Sequence, residues 1–367
     1  MIAHQVETED QEGKDRMHIV IVGGGIIGST TAYYLTRREP VPSVTVIEAE
    51  HVASGASGKA GGLLGTFAYP KPLSTLSWQL HHALAEAHDG AQLWQFRRNE
   101  TLSVSLDAGG AKRSKGMLPR GLDWVRAEQV LDYDDMGATA QVHPRLFTQT
   151  MADLAVAAGA EIVHGRATGV TSSQVTFVDA SGAERTITAD RVVVAAGPWT
   201  PPVLPAAPIV GLRAHSITVR PAKPVSAHAL FTELRIGRKQ VSPEFYARED
   251  EVYICGEGDT TVPLPDSTAG VEVVAARCDE LKQYADCISA ELEQGEVLVR
   301  QACYLPIVES GSGPIIGETK DKIWVAAGHT CWGICNAPAT GKLMSQMLFG
   351  EETEVDISSL HPSRYGL

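Results

Sequence analysis

The residues whose spacing most clearly indicates chemistry are the glycines of the segment Gly23–Gly28, which matches G-x-G-x-x-G. The apolar β-branched run His18–Val22 precedes them and predicts a buried strand, and a helical pattern follows. In such a segment Gly23 allows a tight turn, Gly25 lets a pyrophosphate approach the backbone, and Gly28 lets the helix pack closely on the strand. The helix N-terminus would then direct free N–H groups at the phosphates.

An acidic residue stands at the position that a dinucleotide site requires. Glu48 follows a second predicted strand, Val44–Ile47, and lies 20 residues after Gly28. There its carboxylate can accept hydrogen bonds from both ribose hydroxyls, which disfavours a 2′-phosphate and leaves FAD and NAD as candidates. The cofactor contacts predicted in this region are Gly23, Gly25, Ile26, Ile27, Gly28, Glu48 and Ala49.

Bulk composition limits the class of protein. The chain has 367 residues, 44% hydrophobic and 20% charged, which is enough for about two globular domains. A net charge of −13 disfavours nucleic acid or an anionic membrane as a partner, and no apolar run reaches the roughly 18 residues of a membrane span. Residues 1–16 are polar and acidic and are expected to be a disordered lead-in rather than a secretory signal. The six scattered cysteines show no zinc-site spacing, so we expect reduced thiols, no metal and a cytoplasmic location.

A stretch of small residues follows Glu48: Ala53-Ser54-Gly55-Ala56-Ser57, then Ala60-Gly61-Gly62. Such a run lets the backbone pass close to something large and flat. With the glycine segment and the region from Pro314 onward, it resembles the D-amino-acid-oxidase-like flavoprotein oxidoreductases, which include glycine oxidase, sarcosine oxidase and sarcosine dehydrogenase. Within that group the chain most resembles fungal-type FAD-dependent oxidoreductases, which carry Gly328–Ile334 in the form found here.

This resemblance implies an α/β fold, with a Rossmann-type FAD-binding domain on a parallel sheet and a second domain on a mostly antiparallel sheet. The predicted FAD-binding domain comprises residues 17–90, 140–212 and 297–350, the substrate domain 91–139 and 213–296, and the C-terminal tail 351–367. The resemblance also implies further cofactor contacts at Ser54, Ser57, Lys59, Ala60, Gly61, Gly62, Val170, Ala196, Gly197 and Trp199.

Periodicity predicts several helices. They are residues 70–98, 124–130, 148–158, 272–292 and 339–348.

A second glycine turn lies near the carboxyl end, between a predicted strand, Ile323–Ala327, and the last predicted helix. A helix N-terminus after such a turn can stabilise the flavin N1–C2=O edge, which becomes negative on reduction. The resemblance assigns flavin contacts to Gly328, His329, Trp332, Gly333 and Ile334. His329 and Lys59 are predicted to place positive charge near the reduced flavin, and Trp332 to line the reaction pocket. These three are the predicted catalytic residues, although a structural role for the histidine stays open.

Cys303 matches in offset a cysteine of the sarcosine-oxidase branch that is joined covalently to the flavin, so covalent FAD and a buried free thiol are the two alternatives here. Leu305 stands where many relatives have an arginine that holds the substrate carboxylate. Its presence indicates either that the substrate is not an ordinary α-amino acid or that Arg213, Arg220 or Lys59 replaces that arginine. Tyr246, Tyr253, Leu305 and Trp332 are the predicted substrate contacts.

The resemblance implies hydride transfer to flavin N5 from a C–H beside an amine nitrogen of a secondary amine or modified amino acid. O₂ would be the acceptor, giving imine and H₂O₂. Three alternatives stay open: an NAD-linked dehydrogenase, a flavin-binding protein with a non-catalytic trafficking role, and a biosynthetic flavoenzyme. The expected partners are a small-molecule amine and O₂, in a monomer or small homo-oligomer.

Overall fold

A computed structural model describes residues 16–109 and 118–367. The predicted disordered lead-in therefore lies, apart from Arg16, outside the described residues. Two compact units make up the chain. Unit 1 contains the described residues up to Ser54, together with Thr148–Val210 and Pro306–Leu367, and unit 2 contains Gly55–Phe147 and Gly211–Leu305.

Strands supply most of the regular structure. In the described residues they are β1 (His18–Val22), β2 (Ser43–Glu48), β3 (Leu63–Leu64), β4 (Arg97–Asp107), β5 (Val130–Gln141), β6 (Glu161–Val170), β7 (Gln174–Asp179), β8 (Glu184–Thr188), β9 (Arg191–Val194), β10 (Ile209–Arg220), β11 (His228–Ile236), β12 (Lys239–Val241), β13 (Glu244–Ala247), β14 (Val252–Asp259), β15 (Glu296–Val308), β16 (Ile315–Glu318) and β17 (Trp324–Ala327).

The α-helices of the same residues are α1 (Ile26–Leu35), α2 (Ala56–Lys59), α3 (Lys71–Ala87), α4 (Gly90–Trp94), α5 (Pro144–Ala157), α6 (Thr200–Val203), α7 (Ala275–Ile288), α8 (Ala290–Glu293) and α9 (Gly333–Leu348).

Unit 1 is built on an eight-stranded sheet with the order β16-β17-β9-β1-β2-β6-β7-β8. The strands β17, β9, β1, β2 and β6 are parallel to their neighbours in that order. Ile19, Val20 and Ile21 of β1 are fully buried, as expected for a central strand covered on both faces. Helix α9 contacts α1: Thr30 Oγ1 donates a hydrogen bond to Ala337 O at 3.0 Å.

Unit 2 is built on a nine-stranded sheet with the order β15-β10-β14-β13-β11-β4-β5-β3, and β12 pairs with β11. Most pairings are antiparallel, whereas β11 and β4 are parallel. One face of this sheet packs against α7 through a large apolar core. That core includes Ile217, Phe245, Val252 and Ile254 from the strands and Leu281 and Ile288 from the helix.

The predicted fold class is confirmed: a parallel α/β sheet is accompanied by a separate, mostly antiparallel sheet. The boundaries of the two compact units differ from the predicted domain boundaries. Residues 55–90 belong to unit 2, and residues 351–367 belong to unit 1 rather than forming a separate tail. The assignment of FAD and substrate to particular domains stays a prediction.

Two of the predicted helices are wrong in extent because the backbone leaves helical geometry at ordinary residues. Residues 70–98 contain two helices, broken where Asp89 and Gln95 adopt left-handed conformations with φ of 50° and 56°. Of residues 124–130, only Ala127–Gln129 forms a 3₁₀ turn, and the next residue begins β5.

The other long helices differ mainly at their ends. The predicted helix 272–292 ends at Ile288, after which the Ser289 hydroxyl caps α8 by accepting from Leu292 N. The helix predicted to begin at Ala339 begins at Gly333 instead and continues through Pro338. Burial of this segment outweighs the hydrogen bond that the proline removes.

Candidate functional site

The carboxyl ends of the parallel strands of unit 1 bring four predicted site segments to one edge of the sheet. Gly23 follows β1, Glu48 ends β2, Ala196 and Gly197 follow β9, and Gly328 follows β17. Because these strands run in the same direction, the segments emerge side by side, at the edge where open α/β sheets bind ligands. The two glycine turns, far apart in the sequence, thus lie on the same edge with only β9 between their strands.

The glycines after β1 are required by close backbone contacts. Gly23 has a φ of +112°, and a Cβ there would lie 2.5 Å from Ala195 O. A Cβ on Gly28 would lie 2.0 Å from Gly23 O, so only glycine lets α1 pack this closely on the turn. Gly25 is the N-cap residue of α1, and no side chain caps that helix. The geometry matches the turn, packing and helix-start roles inferred from the sequence.

Glu48 is held at the end of β2 by neutral donors. Its side chain is buried, Oε2 accepts from Gly24 N at 2.7 Å, and Oε1 accepts from Glu50 N at 3.0 Å and from Ser54 Oγ at 3.4 Å. These bonds fix the carboxylate beside the glycine turn. Ser54, a predicted cofactor contact, therefore orients Glu48, whereas its neighbour Ala49 is exposed.

The turn after β17 is tightly constrained. Gly328 has a φ of +85°, and a Cβ there would lie 2.5 Å from Val308 Cγ2. Thr330 also adopts a left-handed conformation, with a φ of 53°. Gly333 and Ile334 are the first residues of α9, whose N-terminus has no side-chain cap, and Trp332 is its half-buried N-cap residue.

His329 is neutral, which corrects the prediction that it contributes positive charge. The side chain is 3% exposed, and burial lowers its pKa to about 3. Its Nε2 lies 3.0 Å from Thr340 Oγ1, and that hydroxyl donates to Asn336 O at 3.0 Å. Because the Thr340 hydroxyl donates its proton to the Asn336 carbonyl, the histidine Nε2–H is the donor to Thr340 Oγ1.

The remaining predicted contacts of unit 1 flank the same edge. Gly197 has a φ of +54° and begins a 3₁₀ turn that ends at Trp199. Val170 ends β6 and packs, as Ala196 does, against the apolar clusters of unit 1. These contacts are those of apolar core residues.

In unit 2, Lys59 and Cys303 are brought together although they are far apart in sequence. Lys59 Nζ donates to Ala302 O at 3.0 Å, and Gln301 Nε2 donates to Lys59 O at 3.3 Å. Burial lowers the pKa of Lys59 and raises that of Cys303 to about 11, although the lysine charge partly counteracts the second shift. The cysteine is therefore a protonated thiol at neutral pH.

The small residues at positions 60–62 accommodate the protein's own side chains. A Cβ on Gly61 would lie 2.3 Å from Tyr246 Cε2, and a Cβ on Gly62, whose φ is +91°, would lie 2.2 Å from Val142 O. The sequence analysis explained the small residues by a nearby flavin. In the structure, the Tyr246 ring and the Val142 carbonyl occupy the space that side chains at these positions would need. Ser57 and Ala60 are half-buried beside these glycines in the sequence.

Two side chains that the sequence analysis missed hold this loop. Arg248 Nη2 donates to Ala60 O at 2.6 Å and to Gly61 O at 3.2 Å, while its Nη1 donates to Glu251 Oε1 at 2.6 Å. Gln141 Nε2 donates to Gly61 O at 2.7 Å. Their location between strand-like runs gave no signal of this role, because the carbonyls that they bind lie far away in the sequence.

The predicted substrate contacts Tyr246 and Tyr253 face each other across β13 and β14. They are register partners, their ring centroids lie 5.9 Å apart, and the ring planes differ by 13°. Both are 6% exposed, and burial raises the pKa of both hydroxyls.

Leu305 is half-buried in β15. The three cations proposed to replace the arginine that many relatives have at this position all bind other groups of the protein. Arg213 pairs with Asp259 at 2.9 Å and Glu272 at 3.1 Å, and the exposed Arg220 pairs with Glu296. Lys59 is hydrogen-bonded to a backbone carbonyl, as described above.

The parallel sheet, the glycine turn and the acid at the end of β2 define a dinucleotide-binding oxidoreductase fold. The family model "DAO: FAD dependent oxidoreductase" matches residues 18–347, and the chain belongs to this family. FAD is accordingly its cofactor, which removes the alternative of an NAD-linked dehydrogenase.

Two curated relatives extend over nearly the whole chain. "Putative oxidoreductase TDA3" of Saccharomyces cerevisiae is 34% identical over 504 aligned residues, covering 98% of this chain and 96% of that protein. The glycine oxidase of Geobacillus kaustophilus is 25% identical, covering 95% of this chain and 97% of the enzyme.

Solved structures support the fold. The crystal structure of the same glycine oxidase matches with a TM-score of 0.75 at 21% identity, covering 94% of this chain and 98% of that one. Iminodiacetate oxidase from Chelativorans sp. BNC1 matches with a TM-score of 0.73 at 19% identity, covering 94% and 98%.

Among residues 16–109 and 118–367, no helix is both long and apolar enough to cross a membrane. Within the same ranges, no group of three or more His, Cys, Asp or Glu side chains could hold a metal ion.

Proposed function

We propose that this flavoprotein oxidises a C–N bond of a secondary amine or modified amino acid, with O₂ as the electron acceptor and imine and H₂O₂ as products. The observation that carries the proposal is the shared sheet edge, where Gly23 and Glu48 lie in the same row as Gly328. A dinucleotide held by the first two would extend along the edge towards the third.

The residues at this edge fit FAD. Gly23 and Gly28 leave no room for side chains, and α1 begins without a side-chain cap, so its first turn can receive a pyrophosphate. Glu48 is held by neutral donors and can still accept from ribose hydroxyls. The uncapped N-terminus of α9 provides a second partial positive charge for an anionic ring edge.

FAD supplies the hydride acceptor and passes the electrons on to O₂. The protein's own part is to hold the amine so that it reacts in its neutral form, since the nitrogen lone pair must assist the departing hydride, and to exclude water. Because His329 is neutral, the helix dipole of α9 is the proposed source of positive potential in unit 1. The half-buried Lys59 of unit 2 is proposed separately to carry a positive charge. Trp332 is proposed to line the pocket.

Covalent attachment of FAD through Cys303 is a separate part of the proposal. The thioether would replace the S–H bond of the thiol and a C–H bond of the flavin 8α-methyl group, and O₂ would accept the two electrons released. The thiol pKa of about 11 opposes loss of its proton, whereas the charge of Lys59 favours it. Acid precipitation tests the bond. Yellow colour in the pellet of wild-type protein, and in the supernatant of the Cys303→Ser variant, supports it, and colour in both supernatants contradicts it.

Leu305 restricts the class of substrate that we expect. Without an arginine at this position, we expect weak activity on glycine and D-alanine, although curated relatives include glycine oxidases. This absence also favours the second candidate function, a biosynthetic flavoenzyme with an unusual amine substrate. Robust turnover of glycine or D-alanine would contradict the expectation.

Anaerobic titration with a panel of secondary amines tests the reaction itself. The flavin absorbance near its visible maximum should fall when a substrate is added, and admission of O₂ should restore it with production of peroxide. If no amine bleaches the flavin, the non-catalytic alternative gains support. If bleaching occurs but O₂ does not restore the colour, the enzyme is a dehydrogenase with another acceptor.

A further inference from the structure

On one face of the unit 2 sheet, a polar side chain, Glu244, lies beside a small aromatic and apolar cluster that includes Tyr246 and Tyr253. Glu244 and Tyr246 of β13 point to the same face because residues i and i+2 share a face of a strand. Their register partners on β14 are Cys255 and Tyr253. The intervening Phe245 and Ile254 point the other way, into the core against α7.

Glu244 has one engaged oxygen and one that is available. Its Oε2 accepts from both the Tyr246 hydroxyl and Cys255 Sγ, the latter at 3.7 Å. Oε1 receives no hydrogen bond from the residues that the structure describes. Burial raises the pKa of this carboxyl, and within the described ranges no lysine, arginine or histidine forms an ion pair with it. A half-buried carboxylate in this setting is stabilised by an incoming cation.

Three described cations of unit 2 that could receive a substrate carboxylate are already engaged. The Arg248 guanidinium donates hydrogen bonds to Glu251 and to two loop carbonyls. Arg213 forms ion pairs with two carboxylates, and Lys59 donates a hydrogen bond to a backbone carbonyl. With leucine at 305, the face of this sheet that carries Glu244 is suited to a positive group and unsuited to a negative one.

We propose that the Glu244 carboxylate binds an alkylammonium group of the substrate, and that this substrate carries no carboxylate at the same end. The Tyr246 hydroxyl holds Oε2 in place, so that Oε1 is presented to the ligand. This inference rests on the proposed amine oxidation and specifies its substrate class. When the amine becomes neutral for hydride transfer, its proton passes to the Glu244 carboxylate, which conserves charge.

Calorimetric titration of the FAD-loaded enzyme with two probes of equal length, n-butylammonium and n-butyrate, tests the proposal. Wild-type protein should bind the cation at least about tenfold more tightly than the anion, as expected for one charge-assisted hydrogen bond in a buried site. The Glu244→Gln variant, which keeps an acceptor for Tyr246, should lose about tenfold or more in affinity for butylammonium. The Glu233→Gln variant, an exposed carboxylate removed from neighbouring β11, should stay within about twofold of wild type.

Butyrate binding as tight as butylammonium, or an affinity for butylammonium unchanged in Glu244→Gln, would overturn the proposal. The comparison of the two probes on wild-type protein decides the matter even if the Glu244→Gln variant fails to fold. Binding is measured without turnover, so failure of this inference is distinguishable from failure of the proposed reaction, which the anaerobic flavin spectrum reports.

Discussion

The Gly61→Ala substitution should destabilise the protein through one identified clash. The new Cβ would lie 2.3 Å from Tyr246 Cε2 and 2.4 Å from its Cδ2, whereas carbon atoms in van der Waals contact lie about 3.5–4.0 Å apart. The ring has little room to retreat, because it stacks on Tyr253, meets Phe231 edge-on at 6.2 Å between centroids, and donates its hydroxyl to Glu244.

Relief of more than 1 Å of overlap requires shifts of the loop or of the ring. Overpacking of this kind costs about 1–3 kcal/mol of unfolding free energy. For a unit of this size, that loss corresponds to a fall in Tm of about 2–12 °C. Urea unfolding of the wild type and the variant, followed by tryptophan fluorescence, measures it.

Two further variants test the cause. Gly169→Ala, where a Cβ would lie 4.0 Å from the nearest atom, is the matched control and should change stability by less than about 0.5 kcal/mol. In the Gly61→Ala/Tyr246→Ala double variant the clash is absent, so the combined loss should be smaller than the sum of the single losses by about 1–3 kcal/mol. A Gly61→Ala variant as stable as wild type, or strictly additive losses, would refute the reasoning.

Three other predictions concern the electrostatics of buried groups. The pKa of His329 is about 3 in the folded protein and about 6.5 in the unfolded chain. The contribution of the neutral histidine to stability is therefore complete above pH 6.5 and is lost as pH falls towards 3. His329→Gln should flatten the decline of unfolding free energy below pH 6.5 by at most about 1.4 kcal/mol per pH unit. Glu48→Gln should weaken FAD binding by about 10- to 100-fold, measured by quenching of flavin fluorescence, because a charged acceptor for ribose is lost. Arg248→Met should cost about 1–3 kcal/mol of stability in urea, because the half-buried Glu251 carboxylate and two loop carbonyls lose their donor.

Each of these has an outcome that contradicts it. Parallel pH profiles for wild type and His329→Gln would show that the histidine is not buried in its neutral form. Glu50→Gln, at an exposed position nearby, should leave FAD affinity unchanged, and an equal loss in both variants would remove the special role of Glu48. The Arg248→Lys variant should recover only part of the loss, since lysine cannot donate to the acid and both carbonyls with one planar group.

The region around Gly23 could be predicted because its constraints are local. The positive φ at Gly23 and the contact of Gly28 with Gly23 O involve residues within one turn of each other. The strand, turn and helix of this region therefore leave a direct pattern in the sequence. The same holds for the hairpin of β7 and β8 and for the buried strand β9.

The break between α3 and α4 could not be predicted in this way. Asp89 and Gln95 adopt left-handed conformations without being glycine, and the helix between them places Trp94 in the core, where its ring packs against Phe147 at 5.4 Å between centroids. Helical periodicity through residue 98 was consistent with a single helix. Only the burial of this tryptophan shows why the chain turns.

The candidate site shows the same limit. The small residues at 60–62 correctly indicated a close approach, but the object approached, Tyr246, lies far along the chain and becomes a neighbour only through the sheet. The charge of His329 depends on complete burial, which a sequence does not report. Both the neighbour of the small residues and the charge of His329 therefore depend on long-range packing, which the sequence does not report.

The strand order of unit 1 has a consequence for biosynthesis. Strand β1 is paired with β9, and β9 with β17, while α1 is hydrogen-bonded to Ala337, 307 residues after Thr30. On the ribosome, β1 can pair early with β2, but the first helix must wait for almost the entire polypeptide before its partner α9 exists. Contacts of such long range slow folding and prolong exposure of apolar segments. A nascent chain stalled before residue 324 would display an incomplete nucleotide-binding edge and would depend on chaperones to reach completion.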